Sequence, residues 1–267
     1  MLTLKPGKKY DMPAFEESIY PAVSHVDSVH AYTTVFETTQ EAIENLLPRH
    51  LAYSGDNSVA VNRLRYRGCD YMGGRGYEEF VIGVTARYEH AGEVIVAPYP
   101  VVIWVNEVPS MLSGREFLGF PKLYAEIPQL TEEGDRIGFS ANEYGNKFLD
   151  GHVRLTKKCS DSTLAKIQAA ANPYSFGWKY VAGPDGTVDA DYATLFRMEW
   201  QYKEAWHAEG EVNFIVGTPR ELPLSGPSVR ALAALPVVAR KPAFAVKATA
   251  TIYRDAIRRL ESMDRTA

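Results

Sequence analysis

Cysteine is scarce in this chain. Only Cys69 and Cys159 occur among 267 residues, and they lie far apart in the sequence. Disulfide frameworks belong to cysteine-rich chains of oxidising compartments, so we expect both thiols to be free and the protein to be cytoplasmic. A secretory leader is not indicated either, because residues 1–13 are polar and contain no apolar core.

An excess of basic residues is also missing. The formal net charge is −4, the pI is about 5.9, and no run of lysine or arginine is longer than a pair. Nucleic-acid-binding domains usually carry a basic stripe, so we expect no nucleic-acid partner. The longest apolar run, residues 94–105, is broken by Pro98 and Pro100. It is too short to cross a bilayer, so we expect no membrane association.

The motifs of several cofactor-dependent classes are lacking as well. The six histidines form no zinc-ligand spacing with one another or with the cysteines. The glycine-rich stretch 73–76 is not followed by the lysine and hydroxyl residue of a P-loop. The Gly-x-Ser-x-Gly motif of many serine hydrolases does not occur. We therefore expect no metal, flavin or nucleotide cofactor.

Strand patterns dominate what is present. Short segments of alternating or β-branched residues predict strands at 29–38, 58–67, 79–90, 93–107, 126–129, 136–143, 147–157, 174–181, 190–206, 211–217 and 243–253. Helical spacing predicts helices over 39–47, 162–171, 228–234 and 254–263. No linker or repeat divides the chain. We predict a mainly β (α+β) protein, one domain over residues 1–267, folded as an antiparallel β-barrel-like structure.

One lysine, Lys122, stands in a mostly apolar stretch, GREFLGFPKLYAE, at residues 114–126. Gly114 and Gly119 predict a loop or a bent edge there rather than a regular helix. Burial disfavours the ammonium form of an amine, and a neutral lysine amine is a nucleophile that forms a Schiff base with a ketone. The alternative is a lysine whose stem packs while its head group reaches water.

The arrangement Gly-Arg-Glu, apolar spacer, aromatic-Pro-Lys at residues 114–122 resembles the active-site segment of the acetoacetate decarboxylase family. Residues 77–79, Tyr-Glu-Glu, resemble the family's tyrosine-x-glutamate. Three later stretches, 172–186, 204–206 and 235–237, resemble further landmarks in the same order. The resemblance covers roughly residues 20–262.

This resemblance implies a Schiff-base lysine, Lys122, in an internal cavity, with Glu79 moving protons at the adjacent carbon. Acetoacetate decarboxylase is a standard example of an activated lysine. Glu78 is the alternative if the strand register shifts by one residue. An ionised carboxylate favours the ammonium form of a nearby amine, so we expect Glu79 to be either several ångströms from Lys122 or protonated.

Two departures from the family bear on the reaction. A second lysine follows the reactive one in true acetoacetate decarboxylases, and Leu123 occupies that position here; the family's arginine near the first strand corresponds to Val29. With such changes the chain resembles aldolase-dehydratases, which join a 2-oxo acid such as pyruvate to an aldehyde and eliminate water, or run the reverse. We therefore predict a Schiff-base lyase of that type. The alternatives are a decarboxylase of acetoacetate or another 3-oxo acid, and a non-catalytic barrel that binds a small ligand.

Four further residues are candidates for the substrate site. Arg115 is a candidate for holding a substrate carboxylate, or for an ion pair with Glu116 that shapes the loop. Phe120 and Leu123 are candidates for its apolar wall. Tyr253, at the end of an alternating strand, is a candidate for assisting loss of the hydroxyl, or is a structural tyrosine. We also expect the protein to be a homo-oligomer.

Overall fold

The structure is a computed structural model that describes residues 3–18 and 20–263. Within that range the strands are β1 Val23–Glu37, β2 Ala52–Tyr53, β3 Ser58–Cys69, β4 Arg75–His90, β5 Glu93–Val105, β6 Lys122–Tyr124, β7 Thr131–Glu133, β8 Arg136–Glu143, β9 Asn146–Lys158, β10 Tyr174–Ala182, β11 Val188–Phe214 and β12 Ala239–Arg259. The helices are α1 Gln40–Leu46, α2 Val108–Ser113, α3 Asp161–Ala170 and α4 Gly226–Ala233. A 3₁₀ turn, Asp70–Met72, and a π-helical turn, Gly114–Leu118, complete the list.

The strands form a single sheet in the order β6-β5-β4-β3-β1-β12-β11-β9-β8-β7, with β10 paired to β11 and β2 to β4. Pairing is antiparallel except between β5 and β6. The sheet curls without closing. Glu126, just beyond the edge strand β6, forms a bridge with Asn142 of β8, so the two ends of the sheet approach each other. The predicted mainly β, barrel-like fold is confirmed.

Three of the predicted helices are present near their expected positions. The Thr39 side chain accepts a hydrogen bond from the Ala42 N–H at 3.2 Å, which caps α1 as predicted. Ser160 caps α3 in the same way, through the Thr163 N–H at 3.3 Å. These caps satisfy N–H groups that have no partner within the helix, which explains why local sequence was sufficient to locate both helices.

The predicted helix over 254–263 is wrong. Strand β12 continues to Arg259, which pairs with Thr194 of β11. A short helix is marginal without a packing partner, whereas in the strand Arg258 pairs with Leu195 of β11 and the Arg254 N–H donates to the Ala22 carbonyl at 2.8 Å. For the same reason the two strands predicted at 190–206 and 211–217 are one continuous strand, β11. The strand predicted at 126–129 is reduced to the single bridge at Glu126.

Two clusters of buried side chains form the core. Trp104 belongs to the larger one, and the next residue, Val105, belongs to the other; both are fully buried. Successive side chains of a strand point to opposite faces, so one strand serves both clusters. The smaller cluster includes Tyr66, Tyr77 and Leu118 and encloses the candidate active site.

The two cysteines are free, as predicted, with Cys69 buried and Cys159 half-buried. Burial raises the pKa of the Cys69 thiol to about 12. A thiol is nucleophilic only as the thiolate, so Cys69 is an inert core residue. No helix within the described residues is both long enough and apolar enough to cross a membrane.

Candidate active site

Lys122 is the first residue of β6 and follows a bent segment. The π-helical turn Gly114–Leu118 ends at Gly119, whose φ of 69° is one that glycine adopts readily. The Phe120 N–H then donates to the carbonyl of Gly114 at 3.0 Å, which folds the segment back on itself. Strand β6 pairs in parallel with β5, with Lys122 opposite Ile103. The sequence predicted a loop or bent edge here, and the structure contains a bent turn followed by an edge strand.

The Lys122 amine is enclosed by polar and aromatic partners. The side chain is buried, with 5% of its surface exposed. Its Nζ atom donates to Glu79 Oε2 at 3.0 Å and to Ser110 Oγ at 2.9 Å. The same atom lies 5.4 Å from the centre of the Tyr77 ring. A buried amine therefore meets a carboxylate, a hydroxyl and an aromatic face.

Direct contact with Glu79 corrects one of the two expectations for this carboxylate, that it lies several ångströms from Lys122. The expectation that Glu79 is protonated stays a prediction. Both residues are buried, and the 3.0 Å hydrogen bond is short enough for a proton to pass between the amine and the carboxylate.

Glu78, the alternative partner of Lys122, faces away from it. Its carboxylate forms ion pairs with three arginines of β3: Arg63 at 2.6 Å, Arg65 at 3.3 Å, and Arg67. Alternation along β4 sends Glu79 to the lysine and Glu78 to this arginine cluster. Both glutamates are buried, so only the strand register distinguishes them.

Replacing Glu78 with glutamine is expected to destabilise the fold. The change leaves the buried Arg63 guanidinium without its counter-charge. Breaking one side of a buried ion pair costs about 3–5 kcal/mol, so the free energy of unfolding measured in urea should fall by that order. The control is Glu89→Gln, which removes an exposed ion pair with Arg87 and should change stability by about 0–1 kcal/mol. Equal effects of the two changes would contradict a structural role for Glu78.

Three tyrosines surround the lysine–glutamate pair. The rings of Tyr66 and Tyr77 are stacked with centroids 4.5 Å apart. Burial raises the pKa of Tyr66 and Tyr77 well above the usual value, and the nearby Glu79 carboxylate raises both further. Burial also raises the pKa of Tyr71. All three phenols therefore stay protonated at neutral pH and act as hydrogen-bond donors in a site from which water is largely excluded.

Phe120 and Leu123 lie on different sides of the lysine. The ring of Phe120 packs edge-on against Phe196 at 5.5 Å, within the smaller cluster that encloses the site. Leu123 packs against the larger cluster. Because Lys122 and Leu123 are successive residues of β6, their side chains point to opposite faces. Of these two residues, the structure brings only Phe120 to the cluster beside the amine.

Arg115 and Tyr253 make contacts of a different kind from those expected. Arg115 is exposed, and its Nη1 atom donates to the backbone carbonyl of Lys122 at 3.0 Å, which braces the bent segment. The Tyr253 hydroxyl donates to Glu199 Oε2 at 3.0 Å. The guanidinium of Arg197 covers the Tyr253 ring at 4.4 Å. Tyr253 is therefore engaged with a polar pair on β11 rather than with the lysine.

Sequence reasoning missed three side chains near the site. Ser110 follows Val-Pro at the start of α2, and nothing in that pattern signals a contact with the amine. Tyr66 occupies an ordinary apolar position of an alternating strand. Arg254 is buried on β12 and contacts Ser113 of α2. Extending the strand alternation by one residue past Tyr253 would have indicated that Arg254 points inward.

Metal-binding groups do not gather around the lysine. Within residues 3–18 and 20–263, no three histidine, cysteine, aspartate or glutamate side chains are arranged to hold a metal ion.

The fold and site together define a curled β sheet around a buried lysine–glutamate pair. The profile of the family "Acetoacetate decarboxylase (ADC)" matches residues 11–250 of the sequence. The chain belongs to this family. No protein with a curated description matches the sequence at a significant level.

Solved structures share the fold at low sequence identity. Acetoacetate decarboxylase from Legionella pneumophila is 16% identical, with a TM-score of 0.74 over 98% of this chain and 99% of that chain. The enduracididine biosynthesis enzyme MppR complexed with pyruvate is 14% identical, with a TM-score of 0.69 over 96% and 99%. MppR complexed with the condensation product of pyruvate and imidazole 4-carboxaldehyde is also 14% identical, with a TM-score of 0.68 over 96% and 97%. These likenesses establish the fold.

Proposed function

We propose that the protein is a Schiff-base lyase that joins a small 2-oxo acid of the pyruvate type to an aldehyde and eliminates water, or runs the reverse reaction. The observation that carries this proposal is the buried contact of 3.0 Å between Lys122 Nζ and Glu79 Oε2. In this proposal Lys122 is the nucleophile and Glu79 is the proton carrier, one hydrogen bond away. MppR, which shares the fold, is described with pyruvate bound.

The first step forms the imine. The nitrogen of neutral Lys122 adds to the ketone carbon of the oxo acid, and the ketone oxygen leaves as water with the two protons of the amine. Glu79 and the Ser110 hydroxyl both touch Nζ and can relay these protons. Burial of the amine keeps bulk water away from the new C=N bond, which would otherwise be hydrolysed.

The second step makes and uses a carbon nucleophile. Glu79, as the carboxylic acid, gives its proton to the imine nitrogen, and the resulting carboxylate takes a proton from the adjacent methyl group. The electrons of that C–H bond move towards the nitrogen to give an enamine. The enamine carbon bonds to the aldehyde carbon, whose oxygen takes the proton back from Glu79. That hydroxyl then leaves as water with a proton from the neighbouring carbon, and hydrolysis frees Lys122. Overall, one oxo acid and one aldehyde give one unsaturated 2-oxo acid and one molecule of water.

Decarboxylation of a 3-oxo acid is the competing reaction, since the chain belongs to the acetoacetate decarboxylase family. Two positions favour condensation instead. Leu123 puts an apolar side chain where true decarboxylases carry a second lysine, and it packs into the larger core cluster. Val29 occupies the position of the family's arginine and is fully buried in the smaller cluster.

A direct test supplies the protein with pyruvate and a panel of small aldehydes. Product is followed by the ultraviolet absorbance of the conjugated oxo acid and identified by mass spectrometry. A parallel reaction with acetoacetate is followed by release of carbon dioxide. We expect condensation with at least one aldehyde and slow decarboxylation. Decarboxylation at about 1–10³ per second without condensation would favour the competing reaction. A protein that binds these acids but forms no borohydride-stable adduct is a non-catalytic binding barrel.

Gly114 offers a test of how tightly the lysine must be held. An ideal Cβ atom at this position would lie 2.6 Å from Lys122 Cδ and 2.8 Å from Cε. The backbone of Gly114 is right-handed helical, with φ −65° and ψ −43°, so alanine causes no backbone strain. The clash falls on a flexible side chain, so Gly114→Ala should fold normally while displacing the amine.

We expect Gly114→Ala to slow imine formation with pyruvate on the order of 10²-fold, because displacing a reacting group by about 1 Å costs that much. The measurement is the rate of borohydride-trapped adduct, with circular dichroism as a check on folding. Leu112→Ala changes an exposed residue of α2 and should leave the rate unchanged. An unaltered rate in Gly114→Ala would show that this packing does not control the amine.

A further inference from the structure

Arg254 is a buried cation close to the candidate site. It lies on β12, with 7% of its surface exposed. Its guanidinium carbon is 4.3 Å from the centre of the Tyr20 ring and 4.9 Å from that of Tyr71. Its Nη2 atom donates to Ser113 Oγ at 3.2 Å. The side chain is held between two aromatic faces, which fixes the direction of its remaining donors.

No carboxylate among the described residues forms an ion pair with the Arg254 guanidinium, and its buried Nε atom has no hydrogen-bond partner. Asp11 acts on the charge of Arg254 from beyond ion-pair distance. Burying a charge without a counter-charge is costly, and Arg63 shows how this chain otherwise treats a buried arginine, by pairing it with Glu78 at 2.6 Å. An unpaired, buried and orientated guanidinium indicates a place for an anion.

The position of Arg254 relates it to the lysine. Ser110 touches the Lys122 amine, and Ser113, one helical turn later in α2, touches Arg254. Side chains three residues apart share a helix face, with Cβ atoms about 5–6 Å apart. The amine and the guanidinium therefore contact neighbouring hydroxyls on one side of α2. In a 2-oxo acid the carboxylate is bonded directly to the carbon that forms the imine, so an arginine that holds it must lie close to the reactive lysine.

Arg254 lines a cavity of about 180 Å³, and Lys122 is not among the residues that line it. The cavity is also lined by Tyr20, Phe117 and Lys9 among others. This volume is below the roughly 300–1,000 Å³ of sites for drug-sized ligands and suits a small acid. The Lys9 ammonium adds positive charge, since it donates to the Arg254 backbone carbonyl at 3.2 Å.

Two carboxylates, Glu17 and Asp255, also line this cavity and oppose an anion there. Glu17 is itself paired with Lys5 and Lys8, at 3.6 Å and 3.1 Å, and Asp255 is exposed. Their opposition is therefore weakened by counter-charge and by solvent.

We propose that Arg254 binds the carboxylate of the oxo-acid substrate by paired hydrogen bonds and so selects acids over uncharged ketones. The proposal rests on the function proposed above and assigns to Arg254 the role that the sequence suggested for Arg115. Arg115 is exposed and already occupied with the Lys122 carbonyl. Tyr20 and Tyr71 orient the guanidinium, and Ser113 fixes one of its nitrogens.

The test separates carboxylate binding from imine formation. Lactate carries the carboxylate but no ketone, so its binding, measured by titration calorimetry, reports on the anion site alone. Borohydride trapping with pyruvate and with the uncharged pyruvamide reports on the lysine. In Arg254→Gln we expect lactate affinity and the half-saturating pyruvate concentration to worsen about 10- to 100-fold, which corresponds to loss of a charge-assisted pair of hydrogen bonds. Trapping of pyruvamide should stay within about 2-fold of the wild type, because pyruvamide has no carboxylate for Arg254 to bind. A tenfold change would correspond to about 1.4 kcal/mol and would mean that a contact with pyruvamide had been lost.

Matched variants complete the design. Arg259→Gln removes another arginine of β12 that lies over a tyrosine, Tyr192, at 4.1 Å, and should change nothing. Arg115→Gln should leave the preference for acids intact. Arg254→Lys keeps the positive charge but loses the paired N–H donors of the guanidinium, so the loss of lactate and pyruvate affinity should be intermediate. If the preference follows Arg115, or if Arg254→Gln binds lactate like the wild type, the assignment is overturned.

Two results need no variant. The wild-type protein should bind lactate at least about 10-fold more tightly than lactamide, the gain expected of a charged hydrogen-bond partner; equal binding would overturn the role of Arg254 even if no variant folded. Failure of wild-type protein to trap either ketone, with lactate binding intact, would reject Schiff-base chemistry and leave the anion site supported. The two failures are thus distinguishable.

Discussion

Lys122→Ala is expected to abolish the borohydride-stable adduct that the wild-type protein forms with pyruvate. In the wild type, intact mass should rise by one carboxyethyl group. A modified lysine resists trypsin, so the adduct should be found on the uncleaved peptide 116–136, which spans Lys122. The physical reason is that the amine is the atom that bonds to the ketone carbon, and no other described side chain shares its contacts with both Glu79 and Ser110.

Lys179 is the matched control for this prediction. It is half-buried against the same bent segment, where its Nζ atom donates to the carbonyl of Arg115 at 3.0 Å and to that of Glu116. Burial lowers the pKa of Lys179, which makes it the rival amine. Lys179→Ala should still form the adduct in full. An adduct that persists in Lys122→Ala and disappears in Lys179→Ala would transfer the role to Lys179.

Glu79→Gln is expected to block the step after imine formation. Glutamine keeps a side chain of similar shape beside the Lys122 amine but cannot accept the proton of the substrate methyl group. Loss of a positioned general base lowers a rate by about 10²–10⁴-fold. The measurement is exchange of the pyruvate methyl protons for deuterium in heavy water, followed by nuclear magnetic resonance. Borohydride trapping of pyruvate should survive, because Lys122 is still present.

The combination of lost exchange and retained trapping is what identifies Glu79 as the proton carrier. Glu78→Gln is the neighbouring control: it should reduce stability, as predicted above, while the folded fraction exchanges deuterium normally. If Glu79→Gln exchanges deuterium at the wild-type rate, another base must act, and Tyr66 or Tyr77 would have to be examined. If it also fails to trap pyruvate, Glu79 is needed earlier, to take a proton from the amine itself.

The sequence was sufficient for those parts of the fold that depend on local interactions. Thr39 indicated the start of α1 because a capping side chain acts on a backbone N–H three residues away. The alternation of apolar and polar residues indicated a mainly β protein, because it can be recognised within each short segment of the sequence. The end of β12 was misassigned because residues 254–259 fit a short amphipathic helix equally well, and only pairing with β11 favours the strand.

At the site, the sequence identified which segment mattered and left open which face each side chain occupies. Lys122 stood out as a lone cation among apolar residues, and Glu79 followed from the resemblance. The strand pattern could not decide between Glu78 and Glu79, or reveal that Leu123 points away from its neighbour. Alternation states that successive residues are on opposite faces, but the assignment of a face requires the neighbouring strands.

Composition and local pattern thus determined a mainly β protein with a segment suited to bury one lysine. Tertiary structure alone decided what surrounds that lysine. Glu79 comes from β4 and Ser110 from α2, and Arg254 of β12 contacts Ser113 of the same helix. Their meeting depends on the curl of one sheet and on the register of each strand, which arise from the sum of many weak pairings rather than from any residue taken singly.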